Sequence, residues 1–495
     1  MNNHSKTFFF VRLIVTCTNM KKTLYFFPLV YLFLLAGCIN FDPKKALEVK
    51  IPQEWQASLQ NENKPEKLEF EWWHNAHDED LNKIIKKILA ENLSVKQAYW
   101  RLIAARQDNL SSKYLPNVNG EAGLNYSKVI SGKSNNFFLL NNSKKSNNYY
   151  NASTDVTWEI PLFGQFGAAK NQLKSDIAYA AADVNLIKTS LISEAIKVYS
   201  QIRLEQNRLQ ELEKIIKARE RILHYVKIKN QAGFSNNTNV ADAKKYYLSA
   251  MNEQSQSQFN LISYQRQLAT LLSQTTIDET IVKVKEVPDF AFPQFTNTSL
   301  DVVRNRPDIQ KSEALVLNAL ADHKIARSEM FPRITLNGAL ASSDNLVGRA
   351  TLGRSLQLTA QPVVSIPLFD WGKRLANDKI TNAKLYEASE NYKEIVVAAI
   401  NEVETFLSAY YEAQNCQKDS QKILENLEKI NEDTKLLNEQ GFKDGIDVEI
   451  SVIDLLRARI ALLEAKVTTI TQLASLAKSL GGYYQNPDQI FFYEK

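Results

Sequence analysis

Chain breakers are scarce, with only 15 glycines and 13 prolines among 495 residues. Average usage of about 7% and 5% would supply about twice as many, so long uninterrupted helices are expected. Cysteine is rarer still: Cys17, Cys38 and Cys416 cannot build a disulfide framework or a cysteine metal site. Charge of one sign is also missing. The first 37 residues carry Lys6, Arg12, Lys21 and Lys22 with no acid, and beyond them 56 basic residues meet 55 acidic ones. That near-neutral remainder lacks the clustered excess of Lys and Arg that phosphate neutralisation requires, which excludes a nucleic-acid partner. An apolar fraction of 44% and a charged fraction of 23% exclude wholesale disorder, collagen and a helical membrane bundle.

At the N-terminus, Met20-Lys21-Lys22 gives a positive n-region, Leu24 to Leu35 an apolar run, and Leu35-Ala36-Gly37-Cys38 a small-residue cleavage site. The run is too short to span a bilayer comfortably. The pattern resembles the bacterial lipoprotein signal, and that resemblance implies lipidation (palmitate) of Cys38 as the first residue of the mature chain. Met20 opens the better signal and is a candidate true start.

The chain repeats itself. Leu115-Pro116 is echoed by Phe331-Pro332 at a spacing of 216, Ile160-Pro161-Leu162-Phe163 recurs at Ile366-Pro367-Leu368-Phe369 at 206, and Gly233 with Asp242 is matched to Gly445 with Asp454 at 212. An ordered set of three landmarks points to duplication. Between the first two landmarks of each copy the period is two: Tyr150, Ala152, Thr154, Val156, Trp158 and Ile160 alternate with Asn151, Ser153, Asp155, Thr157 and Glu159. This is the pattern of half-buried strands, two per copy. The Ser/Asn/Lys-rich stretch Ser131 to Asn148 between the first pair reads as an exposed loop.

Beyond each hairpin the period becomes helical. Leu209, Leu212, Ile216, Leu223 and Val226 in copy one, and Ile423, Leu427, Ile430 and Leu437 in copy two, follow three-and-four spacing. The expected organisation is a signal peptide over 1–37 and a lipid-anchored segment with helices over 38–113. Repeat one covers 114–305 (strand hairpin 115–160, helical hairpin 165–275, connector), repeat two covers 306–482 (helix 307–330, strand hairpin 332–367, helical hairpin 372–482), and a tail covers 483–495.

Four strands cannot close a barrel, and open edges in lipid leave amides without partners. Two copies of the chain would pool eight strands and three copies twelve; because about eight strands make an interior filled by side chains, the larger number is favoured for a pore.

At this point the sequence resembles the TolC-like outer-membrane efflux protein family, in its lipid-anchored branch. The carriers are Ile51-Pro52-Gln53-Glu54-Trp55, Trp72-Trp73, Trp158-Glu159-Ile160-Pro161-Leu162-Phe163-Gly164, Arg306-Pro307-Asp308-Ile309 with Glu313, Phe331-Pro332, Glu402-Val403-Glu404 and Leu480-Gly481-Gly482. The implied fold is mainly α with β: tandem-duplicated long helical hairpins plus four strands per chain, forming a trimeric 12-stranded outer-membrane β-barrel continued by a periplasmic α-helical barrel. The implied function is the outer-membrane channel of a tripartite efflux pump. The implied partners are a homotrimer, membrane lipid, a periplasmic adaptor and an inner-membrane transporter, of RND rather than ABC type. No cofactor or metal is implied.

By the same resemblance, Asp447, Asp454, Phe442 and Asn239 are candidates for the periplasmic aperture or gate, and Gly233, Phe234, Gly445 and Ile446 for turns that meet the adaptor. Solvated helix caps are the plainer alternative for the aspartates. His74, His77 and Glu71 imitate metal-ligand spacing without a second copy, and no nucleophile-base arrangement stands out, so an enzyme is not expected. A type I protein secretion channel of the same architecture, or a non-pore periplasmic lipoprotein scaffold, are the alternatives.

Overall fold

The computed structural model describes residues 71–110, 115–128, 146–277, 281–290, 305–347 and 350–482. The signal segment, Cys38, the Ile51 to Trp55 motif and the tail lie outside the described residues. All described residues fall in one compact unit, 49–495.

A 3₁₀ turn, Trp72–Ala76, leads into helices α1 (Glu79–Glu91) and α2 (Leu93–Leu110). Strands β1 (Asn117–Lys128) and β2 (Ser146–Ile160) precede α3 (Gln165–Gln231) and α4 (Asn237–Leu271). Then α5 (Pro307–Ser328), β3 (Arg333–Val347), β4 (Ala350–Ser365), α6 (Lys373–Glu439) and α7 (Gly445–Ser479) repeat the order. At 67 residues each, α3 and α6 are about 100 Å long.

Helix ends explain where the rare glycines went. Gly233, Gly441 and Gly481 all take φ near +81 to +82°, the left-handed conformation a helix needs just past its end. Each is followed by a residue whose amide reaches back: Phe234 to the Lys229 carbonyl, Phe442 to Leu437 and Gly482 to Ala477. Ser273 does the same job at φ 55° after α4.

These caps also correct one landmark. Gly164 with Gly372, Gly233 with Gly441, and the N-cap Asn236 with the N-cap Asp444 all share a single spacing, 208. The counterpart of Gly233 is therefore Gly441, not Gly445, and Asp242 does not correspond to Asp454. Gly445 is the first residue of α7 and outside the positive-φ set. A Gly-x₈-Asp match four positions out of register misled the sequence reading, while Phe234 and Phe442, following each true turn glycine, mark the correct one.

The α3 arm is buried by different neighbours along its length. Ala98 and Leu102 of α2 pack on Ala180, Ala181 and Val184 near its start. In its second half, Leu212, Ile215, Ala218 and Ile222 pack on Ala243 and Ala250 of α4 and on Ile453, Leu456 and Ile460 of α7. At its middle, Ile192 to Ile202 join Trp72, Trp73, Ile84, Ile281, Phe290, Ile309, Val396, Tyr410 and Ile470 in the largest cluster.

Two buried arginines tie this middle together. Arg203 is fully buried and donates to Gln206 (2.9 Å), the Lys283 carbonyl (2.6 Å) and the Tyr199 hydroxyl (3.0 Å), with Asp80 at 3.6 Å. Arg306 donates to Asp308 (2.7 and 3.0 Å), Glu402 (2.6 Å) and the Ser479 carbonyl (2.7 Å), so the start of α5, the body of α6 and the end of α7 meet on one guanidinium. A Cβ on Gly481 would sit 3.3 Å from the Arg306 Cα, and one on Gly482 2.5 Å from the Ala477 carbonyl oxygen. The Arg-Pro-Asp-Ile and Leu-Gly-Gly motifs are thus two halves of one clamp. Arg306→Ala strands two carboxylates and a buried carbonyl, and is expected to cost about 2 to 3 kcal/mol, read as a lower urea midpoint. An unchanged midpoint would refute the clamp.

Candidate functional site

The four strands form one antiparallel sheet in the order β1-β2-β3-β4. Its central pairing, β2 with β3, joins the two repeats: Ile160 opposite Ile334, Trp158 opposite Leu336 and Val156 opposite Gly338. Register then sorts the side chains. Val118 faces Val156, Ile334 faces Val364 and Leu340 faces Leu358, so one face runs Val118, Val156, Trp158, Ile334, Leu336, Leu340, Leu356, Leu358 and Val364. The other carries Asn119, Glu121, Ser153, Asp155, Thr157, Thr335, Asn337, Gln357, Thr359 and Gln361.

No described element of the chain covers the apolar face: Leu356 is 72% and Leu358 80% exposed. Among the described strands, the outer edges of β1 and β4 are unpaired as well. In water such a sheet would be an aggregation template; against lipid, with its edges joined to other strands, it is a wall with an oily outside and a wet inside. Strands of 12 to 16 residues exceed the about 9–11 needed to cross a bilayer. Among the described residues, no helix is long and apolar enough to cross one.

The helix tips lie at the far end of α3 and α6. Asp444 caps α7, accepting from the Ile446 and Asp447 amides (2.9 and 3.0 Å) and pairing with Lys229 of α3 at 2.5 Å. The Lys229 ammonium beside it holds the Asp444 carboxyl below the usual range, helped by the two amides. Further along α7, Arg221 of α3 forks onto both Glu449 oxygens (2.5 and 2.7 Å), and Arg208 meets Glu464 at 3.0 Å. The turns themselves expose two large aromatics, Phe234 and Phe442.

Each candidate can now be placed. Asp447 completes a capping box, its carboxylate accepting the Asp444 amide at 3.2 Å. Asp454, two turns on and so on the same helix face, is exposed and close enough to Arg219 to oppose the lowering of that guanidinium by burial and Arg457. Asn239 is the counterpart of Asp447 on α4; its amide donates to the N-cap Asn236 (2.9 Å) and its side chain to Ser235 (3.1 Å). Gly233, Phe234 and Phe442 sit in the turns, whereas Gly445 and Ile446 belong to the first turn of α7, where a Gly445 Cβ would touch Tyr225 at 3.4 Å. The sequence reading missed the turn glycine Gly441 and the three ion pairs between α3 and α7, whose partners lie in opposite halves of the chain. The decoy His74 contacts Glu71 at 3.5 Å, with both side chains partly exposed.

Comparison with known proteins agrees with this geometry. The profile of the family described as outer membrane efflux protein matches residues 84–274 and 301–482. The chain is 27% identical to nodulation protein T of Rhizobium leguminosarum bv. trifolii, over 93% of this chain and 94% of that one. It is 22% identical to SilC of Salmonella typhimurium, a probable outer membrane lipoprotein, over 91% and 97%. The open-state structure of the Neisseria gonorrhoeae MtrE outer membrane channel superposes with a TM-score of 0.75 at 20% identity, covering 88% of this chain and 96% of that one.

The Asp444 shift has a sign. A depressed carboxylate contributes stability that is present above its unfolded value near about 4 and lost as pH falls through the lower folded value. Asp444→Asn keeps the cap but loses the ion pair, so faster amide exchange in the first turn of α7 is expected at pH 7, with the difference from the parent shrinking as pH falls below about 4. A difference independent of pH would rule out the Lys229 pair as its cause.

Proposed function

From its membership of the outer membrane efflux protein family, we propose that this chain is the outer-membrane exit duct of a tripartite efflux pump, passing drugs or other small toxic compounds out of the cell. The observation that carries this reading is the sheet: apolar on one face, polar on the other, and open at both edges. Three copies pool twelve strands, put Leu356 and Leu358 against lipid and put Glu121, Asp155 and Gln361 along a wet lumen. The hairpins of α3 with α4 and α6 with α7 continue the duct into the periplasm. Cys38 anchors it by its acyl chains, a role supported by the similarity to a probable outer membrane lipoprotein.

At the tips, Phe234 and Phe442 offer an adaptor the large apolar side chains of the two reversals, and an RND-type transporter supplies the energy. Asp447 and Asp454 line the approach to the aperture, where three copies of a carboxylate make a ring attractive to cations. Capping holds Asp447, so of the two Asp454 is the freer to meet passing ions.

The test is electrical and cellular. Protein extracted in detergent is expected to give discrete conductance steps in planar bilayers, and its deletion to raise drug susceptibility of the host strain. A solitary protein without conductance would overturn the reading. Cys38→Ser is expected to abolish incorporation of labelled palmitate; retained label would move the anchor elsewhere.

A further inference from the structure

Next to the sheet, α5 and α6 form a seam of their own: α5 ends at Ser328 just before β3 begins at Arg333, and α6 starts at Lys373 soon after β4 ends at Ser365. His323 of α5 is buried in it, at 5% exposure. Its Nδ1 lies 3.2 Å from the Thr381 hydroxyl oxygen and 3.7 Å from Asp378 Oδ1, both on α6. Thr381 donates its own proton to the Asn377 and Asp378 carbonyls (2.9 and 3.0 Å). Its oxygen therefore accepts from His323 Nδ1–H, and a second proton must enter the ring at Nε2. Asp378 Oδ1 is buried and makes no hydrogen bond. Alongside, the two helices stand apart around a groove of about 570 Å³ lined by Leu315, Ala319, Asp322, Thr381, Lys384 and Glu387.

The charges near His323 pull in opposite directions. On α6, Asp378 faces the ring, Arg374 one turn earlier is held by Asp370 at 3.0 Å, and Lys384 and Glu387 belong to the groove. On α5, Arg327 lies one turn on, Asp322 accepts from Gln172 of α3 (2.6 Å) and Lys324 turns to the groove between α3 and α5. On α3, Asp176 accepts from Asn318 and Lys174 lines that same groove. Burial, the largest influence, lowers the proton affinity of His323, and Arg327 adds to this; Asp378 opposes both without cancelling them. A buried cation is costly unless fully paired, and the nearest carboxylate oxygen stands beyond hydrogen-bond distance. The counterpart seam, α2 on α3, has Gln107 in place of His323 at the spacing of 216, and Lys170 in place of Asp378 at 208. One of the two seams carries the pair.

We propose that the seam of α5 on α6 is an acid-sensitive joint: the neutral His323 ring closes it, and a proton added at Nε2 as the surrounding pH falls loosens the two helices toward the groove between them. This goes beyond the duct reading and stands without it, since the joint lies within one chain. A buried histidine of reduced proton affinity contributes stability that is fully present above its unfolded value, near about 6.5, and lost as pH falls from there toward the lower folded value.

Amide exchange on full-length protein extracted in detergent tests this, with rates corrected for the intrinsic effect of pH. Between pH 7.5 and pH 5.5, amides over 323–328 and 376–384 are expected to exchange severalfold faster, with a ceiling of about tenfold set by the unfolded histidine value. His323→Gln keeps a hydrogen-bonding side chain and is expected to abolish the acceleration. Asp378→Asn removes the carboxylate that favours the imidazolium and is expected to keep or enlarge it, an arm that decides the matter even where the glutamine variant does not fold. Equal protection of the parent at both pH values would overturn the joint. So would an acid response retained in His323→Gln, or one lost in Asp378→Asn, which would make the carboxylate its source. The same acceleration along α3 and α7 between Leu212 and Ile460 would mean general acid unfolding and would also overturn it.

Discussion

Backbone hydrogen bonding is the constraint on which the rest depends. A four-stranded sheet has two edges, and the outward amides along β1 and β4 have no partner among the described strands. Water could satisfy them, but the same sheet carries Leu356 and Leu358 on a face that no described element covers. Only closure against other strands, with lipid outside, answers both demands at once.

The helical part solves a different problem. Arms of 67 residues gain little from local propensity and must be buried along their length. Three clusters divide the burial of α3, and the middle one gathers the Trp72–Ala76 turn, α1, the 281–290 segment and the start of α5. Arg203 and Arg306 show how it is kept in register: each is a branched cation whose donors end on separate elements, including backbone carbonyls at Lys283 and Ser479. The structure thereby explains why the most distinctive motifs of the sequence lie at neither the strands nor the tips.

Much of this was legible beforehand because it is periodic. The alternation from Tyr150 to Ile160 shows two faces without any knowledge of the partner strand, and the long glycine-free run after Gly167 shows the arm. Legibility failed where a signal is local and short. Gly445 looked like a turn residue because a glycine lies near the break, yet the residue in left-handed conformation is Gly441, and only the amide returning from Phe442 identifies it. Ion pairs such as Arg221 with Glu449 were invisible because charged residues are abundant on every helix face and nothing in sequence says which of them meet. The stripe of Ile423 and Ile430 was visible as apolar, yet in the structure both side chains are about half exposed.

The matched arms carry an evolutionary consequence. Both long helices have 67 residues and both returning helices 35. Deleting two turns from one arm alone would retract one reversal by about 10 Å and leave the end of the duct ragged. Length can drift only if both halves of the gene lose or gain the same number of codons, so the two copies are free to diverge in composition while remaining bound to one another in size.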